Sequence, residues 1–231
     1  MLCSLFNRMK LQMKNIYEEG LEKQKQRSHT NTNKLFDLQE KKVSQAKTLN
    51  EKELKKVLNY IAVRKHAARN RAMLLTTHYC GMRVGEVSAL RIGNVLAADG
   101  TILNEVRLQP DQTKGKHART VFLPEKLRRE LIVYLATIDR SDLTKPLFYS
   151  QKRASGWNSN TLCQHFHWLY RNAGIEGASS HSGRRSFITG LASKGVGVRV
   201  LMSLAGHRSI QTTQAYIDIN DDMKRKAVEL I

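Results

Sequence analysis

One short β-prone pair set inside an otherwise helical sequence most limits what this chain can fold into. Ile102 to Leu108 alternates in part between apolar and polar residues, and Ala118 to Leu123 is β-prone. Between them lies Gln109-Pro110-Asp111-Gln112-Thr113-Lys114-Gly115-Lys116-His117, a turn-rich string that reads as a hairpin connection. On either side the apolar period is helical. Leu54, Val57, Leu58 and Ile61 form one stripe, and Leu127, Leu131 and Leu135 form another behind Pro124. Thr48 with Glu51 matches a capping box for the first of these helices. Further helices are expected from about Arg69 to Cys80, stopped by Gly81, from Val84, and at about 159–173, 181–194, 197–204 and 209–216. The patterns predict an α+β fold, mostly α-helical, with one small antiparallel β-sheet.

The chain has 231 residues, of which 41% are apolar, so it can bury a sizeable core. Its formal net charge of +19 bears on partners rather than on fold. The excess is spread along the sequence instead of lying on one amphipathic helix, which favours a nucleic acid over a membrane surface. Cys3, Cys80 and Cys163 are far apart and form no Cys-x-x-Cys pair, so neither a zinc site nor a disulfide framework is expected. A reducing cytoplasm fits this cysteine usage. The apolar opening is too short for a signal peptide, and no run approaches the roughly 20 residues of a membrane span.

Residues 1–47 are rich in Lys, Gln, Asn and Glu and are expected to form a basic polar arm, partly helical or disordered. Residues 48–216 read as the main domain. In 217–231, Met223, Ala227 and Leu230 fall on one helical stripe behind a capping Asn220 or Asp221.

Several residues suit chemistry on a phosphodiester. Breaking that bond without a metal takes a nucleophile, cations on the non-bridging oxygens and an acid for the leaving oxygen. Arg83 follows a glycine turn and opens a helix, a place suited to an anion, although Glu86 or Glu105 could pair with it. His181 and Arg184 share a helical face at i, i+3, and Arg185 beside them could contact a nucleic-acid backbone. Lys114 or Lys116, in the hairpin turn, can swing toward a leaving oxygen. His207 follows Gly206, and Tyr216 stands nine positions on. His165 and His167, at i, i+2, face different ways and read as structural or solvated. Tyr60, Tyr79, Tyr134 and Tyr170 read as packing residues.

The ordered set resembles the tyrosine recombinase family, also called phage integrases. The resemblance rests on Gly81-Met82-Arg83-x-x-Glu86-x-x-x-Leu90, Lys114-Gly115-x-x-x-Arg119, His181-x-x-Arg184-x-Ser186-Phe187, and Leu204-Ala205-Gly206-His207 with Thr212-Thr213-x-x-Tyr216. It spans about residues 48–220. It implies a site-specific DNA recombinase with a tyrosine-recombinase-type catalytic domain, cutting and rejoining DNA through a 3′-phosphotyrosyl intermediate for a mobile element. Tyr216 would be the nucleophile, Arg83 and Arg184 the phosphate clamp, Lys114 the general acid, and His181 and His207 hydrogen-bond and proton partners. Glu86 would orient the arginine and histidine. Lys116, Arg119, Arg185 and Arg208 are candidate DNA-backbone contacts.

The resemblance implies no metal and no cofactor. Its partners are double-stranded DNA and further copies of the chain in a tetrameric synapse, with a second recombinase or a DNA-bending accessory protein as additions. A bacterial or phage-encoded cytoplasmic protein is expected, with no membrane partner. Three positions depart from the family pattern. Gly183 stands where leucine is common, at a propensity cost of about 1 kcal/mol against alanine, Arg185 where histidine is common, and Ala205 where leucine is common. Residues 1–47 are also short for the family's core-binding domain, so a reduced clamp or a truncated integrase is expected, and 217–231 would dock on a neighbouring protomer. A type IB topoisomerase-like enzyme and a non-catalytic DNA-binding relative are the competing readings.

Overall fold

A computed structural model describes residues 46–113, 115–150 and 156–217, with 224, 225, 228 and 229 near the C terminus. The readings of 1–47 as an arm and of 217–231 as a docking tail therefore fall almost wholly outside the described residues.

The chain forms α1 (Glu51–Ala62), α2 (Ala67–Cys80), α3 (Val84–Ser88), β1 (Glu105–Leu108), β2 (Arg119–Phe122), α4 (Glu125–Leu135), α5 (Ser159–Asn172), α6 (Ser182–Ser193), α7 (Val198–Ala205) and α8 (Ile210–Gln214). The strands pair antiparallel, with Glu105 opposite Phe122 and Leu108 opposite Arg119. The predicted α+β class and hairpin are thus what forms, each element within a few residues of its expected place.

The first cap differs from expectation. Asn50 and Glu53, not Thr48 and Glu51, make the capping box: Asn50 Oδ1 accepts from Glu53 N at 2.8 Å, and Glu53 Oε2 accepts from Asn50 N at 3.1 Å. The cause lies far along the chain. Leu49 is buried and its N–H donates to Ser186 Oγ at 2.7 Å, which fixes the backbone before the helix can begin. Leu49 and Leu54 then occupy the two positions of a hydrophobic staple, both in the core.

Helix α2 is the centre of the domain. Ala72 through Thr77 are all buried, and the helix packs on α1, α4 and α6. Its two threonines satisfy their hydroxyls within the helix, on Ala72 O and Leu74 O. Around it gather Val57 and Ile61 of α1, Leu127, Leu131 and Tyr134 of α4, Phe166 and Leu169 of α5, and Val106, Leu108 and Val121 of the sheet. Burying one such aliphatic side chain contributes about 1.5–3 kcal/mol.

Gly183, expected to loosen α6, instead lets it approach α2. A Cβ at Gly183 would lie 2.2 Å from Thr77 Oγ1 and 3.2 Å from the His78 backbone nitrogen. A leucine cannot stand there unless the helices part. Tyr134 and Tyr170 are buried packing residues, as their sequence context suggested.

Candidate active site

Glu86 is the buried centre of the site. Gly81 ends α2 in the left-handed conformation, φ +60°, and turns the chain so that Arg83 caps α3. Glu86, three residues on, then folds its carboxylate back over that cap. One oxygen accepts from the Arg83 backbone N–H at 2.8 Å and the other from Arg83 Nη1 at 2.9 Å. Arg119 adds Nη2 at 2.7 Å and Nε at 3.3 Å. With 1% of its surface exposed, Glu86 feels burial most strongly, which raises its pKa; the bonds and charges of Arg119 and Arg83 outweigh this and hold it below the usual carboxylate range.

Three consecutive backbone carbonyls at the end of α7 each take a different arginine. Leu204 O accepts from Arg119 Nη1 at 2.7 Å, Ala205 O from Arg184 Nη2 at 2.7 Å, and Gly206 O from Arg83 Nη2 at 3.1 Å. These are orphan carbonyls at the negative end of a helix, so they attract cations. Arg184 also donates from Nη1 to Gly81 O at 2.6 Å. Arg184 is 3% exposed and its guanidinium is bonded to carbonyls, and burial with Arg83 and Arg119 nearby brings its pKa down to about 9, against the opposing pull of Glu86. Three guanidiniums against one carboxylate leave an excess of buried positive charge, which an oxyanion would balance.

His207 stands directly after this helix end. Burial first, then Arg184, Arg83 and Arg119, bring its pKa down to about 4, so the ring is neutral at pH 7. Nδ1 lies 2.9 Å from the hydroxyl of Thr213, which is fully buried in α8. The ring stacks on that of Tyr216, with centroids 5.6 Å apart and planes 27° from parallel. Arg185 lies over the other ring-forming partner, its Cζ 5.4 Å from the Tyr216 centroid. The Tyr216 carbonyl accepts from Thr189 Oγ1 at 3.4 Å, which ties it to α6.

A cleft of about 550 Å³ opens beside these groups, lined among others by Arg83, Arg119, His207, Thr113 and His117. Arg208 crosses it, donating from Nη2 to Gly115 O at 2.8 Å and contacting His117 Nε2. The hairpin turn is thereby tied to the loop after His207. Lys114 lies in that turn but outside the described residues. Lys116 is exposed, with φ +51°.

The structure brings Arg83, Glu86, Arg119, Arg184, His207 and Tyr216 together. Glu86 pairs with Arg83 and Arg119 instead of with an arginine and a histidine. His181, at the N-cap position of α6, is exposed while Arg184 is buried, so the pair differs in depth. Arg119 turns inward rather than toward solvent. His165 sits between Trp157 and Trp168, at centroid distances of 4.8 and 6.0 Å, while His167 is exposed, so the two do face different ways. Thr213 had no assigned role in the sequence, and the three carbonyls carry no side-chain signal. Gly206 ends α7 in the left-handed conformation, φ +62°. No group of three or more His, Cys, Asp or Glu suited to a metal occurs among the described residues, and none of their helices is long and apolar enough to cross a membrane.

The chain is similar to several known proteins. The profile of the phage integrase family matches residues 47–223. The tyrosine recombinase XerA of Pyrococcus furiosus is 31% identical over 188 residues, covering 79% of this chain; the chain spans 61% of that relative's length. Among solved structures, the crystal structure of XerA recombinase superposes with a TM-score of 0.63 at 26% identity, covering 79% of this chain and 64% of that one. XerH site-specific recombinase bound to palindromic difH substrate, a post-cleavage complex, shares the fold with a TM-score of 0.60 at 24% identity, over 78% of this chain and 51% of that one.

Proposed function

The chain belongs to the phage integrase family of tyrosine recombinases, and on that premise we propose that it cuts and rejoins double-stranded DNA at specific sites, for the integration or excision of a mobile element. One observation carries the reading: three guanidiniums converge on one helix end beside a neutral histidine that stacks on Tyr216. The net charge of +19 supplies the sequence-independent attraction to DNA.

The Tyr216 oxygen attacks the scissile phosphorus as its proton passes to a histidine of the site, His181 or His207. The bond from phosphorus to the 5′ oxygen breaks, and Lys114 gives that oxygen a proton. The 3′ phosphate stays on Tyr216, so the bond energy is kept and no nucleotide cofactor is consumed. Arg83 and Arg184 hold the non-bridging oxygens, where negative charge grows in the transition state. Each guanidinium has five N–H groups, so donors remain for phosphate after the carbonyl bonds are made. His207, uncharged before DNA binds, donates a hydrogen bond to a phosphate oxygen from Nε2, the nitrogen not held by Thr213, and His181 adds a contact from the rim. Attack by the 5′ hydroxyl of a second duplex reverses the chemistry and exchanges strands. Two such exchanges proceed within a tetramer on DNA, with 217–231 docking between protomers.

A nicked duplex that loses its 5′ fragment on cleavage traps the covalent step. The wild-type chain should form a protein–DNA adduct on target-bearing duplex, with or without EDTA. An absence of adduct under all conditions, with DNA binding retained, would favour a non-catalytic DNA-binding relative. Relaxation of supercoiled DNA that lacks target sites would favour a topoisomerase.

A further inference from the structure

Arg119 joins three segments of the site. It opens β2 opposite Leu108 and shares the inward face of the strand with Val121, so the sheet aims it at the interior. Its side chain is 10% exposed. Nε and Nη2 grip the two oxygens of Glu86, and Nη1 reaches Leu204 O. Glu86 belongs to the helix that Arg83 caps. Leu204 stands three residues before His207. Lys114 precedes Arg119 by five residues in the same hairpin.

Gly206 is shaped for this arrangement. It takes φ +62°, and a Cβ there would lie 2.7 Å from Arg119 Cδ. The arginine stem thus passes directly over the helix stop. Only a planar fork can grip a carboxylate at two points and a carbonyl at a third; a lysine ammonium is a point charge that satisfies one direction at a time.

We propose that Arg119 is a positioning residue for strand cleavage: it holds the Glu86–Arg83 pair in register with the helix end that carries His207, and it contacts no DNA backbone. The proposal rests on the reading of the chain as a DNA-cleaving recombinase. Its two claims separate it from the sequence expectation of a phosphate contact, because a phosphate contact contributes to the salt dependence of DNA binding and a positioning residue does not.

The test uses full-length Arg119→Lys and Arg119→Met. DNA affinity is measured over a salt series, single-turnover cleavage of the nicked duplex at saturating DNA, and amide exchange in the free protein. Both variants should keep the wild-type salt slope and affinity while cleavage falls roughly 10- to 100-fold, the range found when outer partners that orient metal ligands are removed. Combining Arg119→Met with Glu86→Gln should cost no more than the worse single change, since both break one unit. Exchange should quicken at 83–86 and at 204–207. Wild-type cleavage in both variants, or a salt slope reduced by about 0.9, the share of one phosphate, would overturn the proposal. If Arg119→Met fails to fold, Arg119→Gln, which removes the charge but keeps a planar amide, supplies the salt slope, and Arg119→Lys the cleavage and exchange. If the wild type itself forms no adduct, the recombinase reading fails, and unchanged exchange at 83–86 and 204–207 still counts against the positioning role.

Discussion

The ring of Tyr216 lies on the ring of His207, centroids 5.6 Å apart, and the histidine is held from behind by Thr213. A tyrosine nine residues beyond a histidine is thus brought back onto it by the short helix α8 and the turn that follows. The same histidine adjoins the carbonyls that gather Arg83, Arg119 and Arg184.

Glu86 is the one carboxylate among these three arginines. Removing it strands buried positive charge, and breaking a buried pair in this way costs about 3–5 kcal/mol. Glu86→Ala should lower the denaturant midpoint by a corresponding amount without a change in slope. A shift of under about 1 kcal/mol, the worth of a surface ion pair, would mean that the arginines are balanced by other means.

Acid should destabilise the domain earlier than carboxylates alone would. His207 and His165 are both brought down to about 4, chiefly by burial, and burial also lowers His78. In the unfolded chain they titrate near about 6.5. Between these values the unfolded state binds protons that the folded state refuses, so stability that is full above about 6.5 is lost as pH falls toward 4, by on the order of a few kcal/mol. Urea midpoints at pH 7.5, 6 and 5 measure this. His165→Gln should flatten the profile in part, and a wild-type midpoint constant over the range would refute it.

Gly183→Ala should destabilise the contact between α2 and α6 by about 1–3 kcal/mol, the usual cost of overpacking, although alanine is the better helix former. The clash is with Thr77 Oγ1 and Cβ. Thr77→Ala in the Gly183→Ala background should recover part of the loss, because it removes the nearer atom. Thermal unfolding of the two single variants and the double variant decides this; a stabilised Gly183→Ala would show that the helices have room.

Much of the fold was legible because its signals are local. The helical stripes, the turn string at 109–117 and Pro124 ahead of α4 depend on neighbours a few residues away. The proximity of Arg83 and Glu86 was legible for the same reason. What escaped depends on distant partners. Leu49 N is held by Ser186, which moves the first cap from Thr48 to Asn50. Gly183 reads as a weak point in one helix until its contact with Thr77 is seen. Arg119 reads as one more surface cation in a basic hairpin, and its inward course depends on a buried carboxylate 33 residues earlier. The acceptors at 204–206 are backbone atoms, which no choice of side chain announces.

On the proposed mechanism the Tyr216 oxygen makes the covalent bond to DNA. Protease digestion of the adduct trapped on a nicked duplex, followed by mass spectrometry, identifies the residue that carries the nucleotide. The modification should fall on the peptide containing Tyr216, and Tyr216→Phe, bound to the same duplex with wild-type affinity, should form no adduct. A nucleotide found on any other residue, or an adduct that persists in Tyr216→Phe, would contradict it.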